Sequence, residues 1–332
     1  ELPQPKTTVG VDPPETYPYV MTPSGSSEPH AGGGLRSGFV GLIGKPNVGK
    51  STMVNYWLGC KIAITSSKPQ TTRYRVLGIL TRPDAQVMFM DCPGWHQPHH
   101  ALGKLMVGAS RQVLEEADLL VAVLEATSGI RREDEWVFEE IRKRGRPALL
   151  AINKVDLVKK PILLPLLEEA ASRRLFAEHV PVSAVTGDNM DVLLAQIIAR
   201  LPPGPRWYEA DQVTDQPTEL AICELIREQV LGATHQEVPH AVAVLLDELV
   251  SKESVTLIRA TIMVEREGQK AILIGRQGQM LKHIGSAARV ELERLIGRRV
   301  FLELWVKVAE DWREDPAMLR RLGYDRSHPA SP

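Results

Sequence analysis

The run Gly44-Lys45-Pro46-Asn47-Val48-Gly49-Lys50-Ser51 sets two glycines with four residues between them and follows the second with lysine and serine. Residues without Cβ let a turn bring several backbone amides against one anion. Lys50 adds a cation that reaches the outer phosphates of a nucleotide, and the Ser51 hydroxyl is a hard oxygen ligand for Mg²⁺. The apolar residues 39–43 read as a strand ahead of the loop, and residues 52–58 read as the start of a helix behind it. The amino end of that helix favours a polyanion. The spacing therefore assigns Gly44 to Thr52 to phosphate binding, with Lys50 also acting in catalysis.

Further runs supply what a bare phosphate loop lacks. Asp91-Cys92-Pro93-Gly94 ends an apolar strand. Placed there, Asp91 is expected to direct a metal, and the Gly94 amide to sense a terminal phosphate. Lys68-Pro69-Gln70-Thr71-Thr72-Arg73 lies between the loop helix and the next strand. One of its threonines is expected on the metal, and Thr72 is preferred to Thr71. Asn153-Lys154-Val155-Asp156 ends another apolar strand. A carboxylate at Asp156 can accept hydrogen bonds from guanine N1–H and its amine, whereas adenine would leave it unpaired. Asn153 would brace the loops and the Lys154 stem would cover the base. Ser183-Ala184 follows the last strand, with an amide near Ala184 in reach of guanine O6. The ligand read from these residues is GTP or GDP with Mg²⁺.

The elements that must hold these residues follow from periodicity. Short apolar runs at 39–43, 76–80, 86–90, 119–124, 148–152 and 180–182 alternate with amphipathic stretches at 104–116, 133–144, 163–176 and 190–201. Such alternation predicts an α/β domain with a mostly parallel sheet and helices on both faces. Pro202-Pro203-Gly204-Pro205 then marks a boundary. Residues 1–36 read as a disordered tail, 37–201 as the first domain, 202–217 as a stiff linker, 218–309 as a small α+β domain and 310–332 as a charged tail. The second domain reads helix 218–230, strands 241–246 and 255–264, helices 269–274 and 280–295, and strand 300–306.

The formal net charge of −1 excludes a chain that is basic throughout, but the charge is segregated. Residues 208–255 carry 10 acidic and 2 basic side chains, and residues 256–307 carry 5 acidic and 10 basic. Cys60, Cys92 and Cys223 are far apart and form no metal or disulfide framework. No apolar run is long enough to span a bilayer as a helix. Within the basic half, Gly275-Arg276-Gln277-Gly278 lies between two helical stretches. Gly-x-x-Gly alone is common, and Gly41 to Gly44 has the same form. Between helices it lets an RNA backbone approach bare amides, with Lys270, Arg276, Gln277, Lys282 and Arg289 alongside. Ile274, Leu281 and Ile284 are either the apolar wall of a base groove or plain core.

In this order the first-domain runs resemble a GTPase G domain. The form Gly-x-Pro-Asn-x-Gly-Lys-Ser resembles that of GTPases that use K⁺, which implies Asn47 as an oxygen ligand; a turn asparagine after proline is the other reading. Trp95 stands where many small GTPases carry a water-orienting glutamine, so slow hydrolysis is expected unless K⁺, a backbone group or a partner completes the site. His96, His99 and His100 read as a solvated loop. The second domain resembles a type II KH domain. Both domains in this order, the runs 238–244 and 268–275, and Asp311-Trp312-Arg313 resemble the Era family of ribosome-assembly GTPases over residues 37–324. The resemblance implies a single-stranded segment near the 3′ end of small-subunit rRNA as ligand and the small ribosomal subunit as partner. It also implies a monomeric, cytoplasmic protein with peripheral inner-membrane association. A start at Glu1 behind a long tail leaves an organellar protein (chloroplast or mitochondrion) as the alternative. The rival reading is a GTP-regulated RNA adaptor with negligible turnover.

Overall fold

The computed structural model describes residues 34–324, so most of the expected N-terminal tail and the last eight residues lie outside the described residues. The first domain is built on strands β1 Arg36–Ile43, β2 Val76–Thr81, β3 Ala85–Asp91, β4 Leu119–Glu125, β5 Ala148–Asn153 and β6 His179–Pro181. Helices α1 Lys50–Leu58, α2 Ala101–Glu116, α3 Arg132–Arg144, α4 Lys160–Ser172 and α5 Met190–Arg200 alternate with them. The strand order is β2-β3-β1-β4-β5-β6, parallel except for β2 against β3. Strands β3 and β5 are buried along their whole length, which is why their sequences are apolar runs rather than alternations. Two apolar cores, one on each face, fix the sheet between helices.

Several boundaries differ from the sequence reading. Strand β1 begins at Arg36, inside the expected tail, because Arg36 Nη1 donates to Leu201 O at 2.6 Å and its amide to Asp84 O at 3.1 Å. Helix α2 starts three residues early, since His100 caps it through a 2.8 Å bond from Gly103 N. Helix α4 runs earlier than 163–176 because Pro161 starts it and Arg174 leaves it with φ 49°. Residues 202–217 are not a free linker. Ile79 N donates to Val213 O at 2.9 Å, and Thr214 Oγ1 to Leu77 O at 2.7 Å. The segment thus covers the outer edge of β2, where unpaired strand groups would otherwise face solvent.

The second domain comprises α6 Thr218–Ala233, α7 Val238–Ala241, β7 Ala243–Ser251, β8 Thr256–Val264, α8 Glu267–Ile274, α9 Gln279–Ile296 and β9 Val300–Val308. Strand β7 is antiparallel to β8, and β8 is parallel to β9. The strand expected at 241–246 therefore starts later, behind the short helix α7 that Pro239 initiates. Residues 310–324 are folded, not a loose tail. Trp312 is 1% exposed, donates from Nε1 to Ala241 O at 2.9 Å and stacks near Tyr324, which follows helix α10 Pro316–Arg321. Among the described residues, no helix is long and apolar enough to cross a membrane.

Candidate nucleotide site and RNA loop

The loop of residues 44–49 joins β1 to α1 at the carboxyl end of the sheet, the usual ligand edge of such folds. Its glycines are sterically demanded. A Cβ at Gly44 would lie 2.5 Å from Val123 O, and one at Gly49 would lie 2.2 Å from Asn153 Nδ2. Lys50 Nζ donates to Gly44 O at 3.2 Å and Lys45 O at 3.1 Å, curled into the loop like a cation held ready for an anion. Burial lowers the Lys50 pKa, and the nearby Cys92 and Asp91 work against that shift. Lys45 points elsewhere: its Nζ meets Asp134 at 3.0 Å and Ser128 Oγ at 2.9 Å, tying the loop to the start of α3. Val48 is buried, and Pro46 and Thr52 line the cavity of about 380 Å³ over the loop.

Ser51, Thr72 and Asp91 come from three separate segments and meet. Ser51 Oγ donates to Asp91 Oδ2 at 2.5 Å and lies 3.0 Å from Thr72 Oγ1. Thr71, by contrast, turns its hydroxyl to Lys68 O at 2.7 Å, so of the two threonines Thr72 faces the cavity chemistry. Burial pushes the Asp91 carboxyl up to about 6, against the pull of Lys50 and Ser51 toward its charged form. Asp91 Oδ1 is buried with no partner among the described residues. An orphaned carboxylate oxygen beside two hydroxyls is an all-oxygen donor set, which fits Mg²⁺ and not a soft metal. Gly94 sits against the loop so closely that a Cβ would lie 2.4 Å from Pro46 N.

Trp95 is packed into the core behind the loop, and its amide donates to Gly44 O at 3.0 Å. His99 is exposed, but His96 and His100 are half-buried and engaged: Nδ1 of His96 bonds Gly94 O at 2.8 Å, and His100 caps α2. Asn47 holds φ 64°, a conformation asparagine tolerates, and its Nδ2 donates to Ser67 O at 2.7 Å. That leaves its Oδ1 for a cation, so the ligand and turn readings are compatible.

At the base end, Asn153 is a brace. Its Nδ2 donates to Val48 O at 2.8 Å, and its Oδ1 accepts from Ala184 N at 3.0 Å. The Ala184 amide is therefore engaged, and a guanine O6 would have to share or displace that bond. Ser183 is fully buried, and its Oγ accepts from Thr186 N at 3.1 Å, holding the turn. Lys154 lines the cavity with its Nζ on Glu125 at 3.0 Å. Asp156 is exposed in the 3₁₀ turn Val155–Leu157.

In the second domain, the 3₁₀ turn Arg276–Gly278 links α8 to α9. Gly275 has φ 71° and ψ 179°, a region open essentially to glycine alone. Arg276, Gln277, Lys282 and Arg289 are exposed, and Lys270 is half-buried near Glu267. Ile284 is fully buried core and cannot wall a base groove; Ile274 and Leu281 are half-buried beside that core.

Sequence reasoning missed the contacts between the domains. Arg227 on α6 is fully buried, grips Glu224 and donates to Thr71 O. Arg73 donates to Val242 O at 2.6 Å and lies over the rings of Trp312 and Tyr324. Glu224 and Arg227, three residues apart on a helical stretch with apolar residues on either side, were the available signal.

Comparison with known proteins agrees with this architecture. Residues 39–154 match the family described as 50S ribosome-binding GTPase, and residues 237–313 match the KH domain family. Era from Aquifex aeolicus, crystallised as a variant with GDP and aluminium fluoride, is 41% identical over 87% of this chain and 99% of its own, with a TM-score of 0.84. Era in complex with MgGDPNP and nucleotides 1506–1542 of 16S ribosomal RNA is 41% identical over the same shares, with a TM-score of 0.85. A G domain followed by a KH domain, at this identity and over nearly the full length of both relatives, places the chain in the Era family.

Proposed function

We propose that this protein is a GTP-hydrolysing switch that binds small-subunit rRNA near its 3′ end and assists assembly of the small ribosomal subunit. The observation that carries the catalytic half is the meeting of Ser51, Thr72 and Asp91 beside the Lys50 loop. The RNA half rests on the Gly275 to Gly278 turn, set in a KH domain like that of the relative solved with 16S rRNA.

The backbone N–H groups of residues 44–52, all but that of Pro46, which has none, would hold the phosphates with Lys50 and stabilise charge that spreads over them as a water attacks in line. Ser51, Thr72 and Asp91 would hold Mg²⁺, which would supply charge neutralisation for a bound phosphate chain. Asn47 Oδ1 is assigned to K⁺. Gly94 would read the terminal phosphate, because its lack of a side chain lets the backbone lie on the loop. With Trp95 in the core, orienting the water falls to backbone groups around Thr72 and Gly94. Asp156 would select guanine, with Asn153 and Lys154 shaping its slot and the turn at Ser183 and Ala184 closing the far side. No protein nucleophile is required. RNA would run over Gly275, Arg276, Gln277 and Gly278, flanked by Lys270, Lys282 and Arg289.

Single-turnover hydrolysis in K⁺ and in Na⁺ tests the reading: faster turnover in K⁺ is expected, and none in either salt removes the enzymatic function. Crosslinking in cells followed by sequencing of the attached RNA should recover the 3′ end of small-subunit rRNA.

A further inference from the structure

The three residues 71–73 are held in alternate directions. The Thr71 carbonyl accepts from Arg227 on α6. The Thr72 hydroxyl turns the other way and lies 3.0 Å from Ser51 Oγ. The Arg73 side chain returns to the second domain, donating to Val242 O at 2.6 Å and His240 O at 3.2 Å. Thr72 is thus bracketed on both sides by the KH domain; from its own domain, Lys68 O accepts the Thr71 hydroxyl at 2.7 Å. Farther back in the same loop, Thr65 N donates to Glu228 Oε1 at 2.9 Å, one residue from Arg227.

We infer that Arg227 is a positioning residue for GTP hydrolysis: it fixes the Thr71 carbonyl so that the Thr72 hydroxyl faces Ser51. This rests on the reading of Thr72 as a group of the nucleotide site. The chemistry suits the task. Arg227 meets Glu224 through Nε at 2.7 Å and through Nη2 at 2.5 Å, so its plane is locked. A guanidinium held in a fixed fork delivers the second Nη2 hydrogen bond, to Thr71 O, at a set position, which a flexible ammonium does less well. A shift of about 1 Å in a positioned group can cost roughly a hundredfold in rate. The RNA-binding domain therefore supplies part of the hydrolytic geometry. The site is complete only while α6 is seated against residues 65–73.

The test uses the full chain and two readouts: single-turnover hydrolysis, and the affinities for GDP and for a non-hydrolysable GTP analogue. Arg227→Met should slow hydrolysis ~10- to 100-fold and weaken the analogue while leaving GDP affinity unchanged. Arg227→Lys should recover part of the rate. In a Thr72→Ala background, Arg227→Met should add no further loss. Because Arg227→Met strands Glu224 in the interior, the pair Glu224→Gln/Arg227→Met, which removes both charges of the ion pair and leaves Arg73 on its carbonyl partners, is run alongside and should show the same pattern. Equal losses for GDP and analogue, or full additivity with Thr72→Ala, would reduce Arg227 to a structural residue and overturn the inference. Thr72→Ala with undiminished hydrolysis would overturn the underlying reading of Thr72. A damaged Thr72→Ala beside an undamaged Arg227→Met would overturn this inference alone.

Discussion

Two glycine-bracketed turns, residues 44–49 and 275–278, meet their surroundings in opposite ways. The first is walled in. Val123 O lies where a side chain at Gly44 would stand, Asn153 closes over Val48 and Lys50 is curled against the loop carbonyls. The second is open. Arg276 and Gln277 face solvent, and a Cβ at Gly278 would meet nothing within 4 Å. The first arrangement suits one ligand of fixed shape, where every donor is placed before binding. The second suits a polymer whose backbone slides close and whose bases differ along its length. The contrast predicts that damage at the first turn is steep and chemical, while damage at the second falls on RNA affinity and KH-domain stability and spares the nucleotide.

The steepest expected effect is Lys50→Ala. It removes the buried cation of the walled loop, and hydrolysis should fall ~10²- to 10³-fold, as for loss of other preorganised charge stabilisers. RNA binding should be unchanged. Single-turnover kinetics with a parallel RNA filter assay decides both. Equal loss of RNA affinity would show that the two turns are not separable.

Next is Gly275→Asp combined with Gly278→Asp. Two carboxylates would face phosphates, and RNA affinity should drop at least ~100-fold while GTP affinity holds, by loss of attraction and gain of repulsion. The single changes sharpen the point. Gly275→Ala meets Met280 Cβ at 2.7 Å, whereas Gly278→Ala meets only a positive φ of 77°. The first should also destabilise the domain. The second should cost only ~1–2 kcal/mol, the usual penalty of a left-handed backbone for an L side chain.

The walled turn was also the more legible of the two. Its lysine, serine and flanking strand lie within fifteen residues, so the sequence shows both the chemistry and its frame. Asp91 and Asn153 were legible for the same reason, each ending an apolar strand. The open turn is readable only through its neighbours, and the sequence leaves Ile284 between groove wall and core because amphipathic spacing does not say which apolar side chain is deepest; its full burial settles it as core. Least legible was the junction. Arg73, Arg227, Trp312 and Tyr324 are spread along the chain and meet only in the fold. Residues 310–324 looked like a charged tail because their burial rests on a few aromatic and aliphatic side chains rather than a periodic stripe.

A smaller effect is expected from Asp156→Asn. The exposed carboxylate would lose one acceptor toward guanine, and GTP affinity should fall ~10- to 100-fold, the range for a charged hydrogen bond. Inosine triphosphate lacks the exocyclic amine, so its affinity should fall less. Competition titrations of both nucleotides measure the difference. Equal losses would show that Asp156 does not read the amine.

The smallest effect lies between the two turns, at the start of α2. Three of that helix's first amides are satisfied from outside it: Gly103 N by His100 Nδ1, Ala101 N by Glu314 and Leu102 N by Arg313 O. His100→Ala removes one cap and should cost ~1 kcal/mol of stability. Only the neutral imidazole can accept at Nδ1. Burial, then the Arg313 cation, hold the His100 pKa below its ordinary value, with Glu314 opposing. A folded-state pKa below the unfolded one means the contribution is present above the unfolded value and is lost as pH falls through the folded one. Thermal melts of the parent and His100→Ala should therefore differ near pH 8 and converge as pH falls below the unperturbed ~6.5 and on through the lowered folded-state value. A difference that persists unchanged into acid would show that the side chain packs at this position and does not cap.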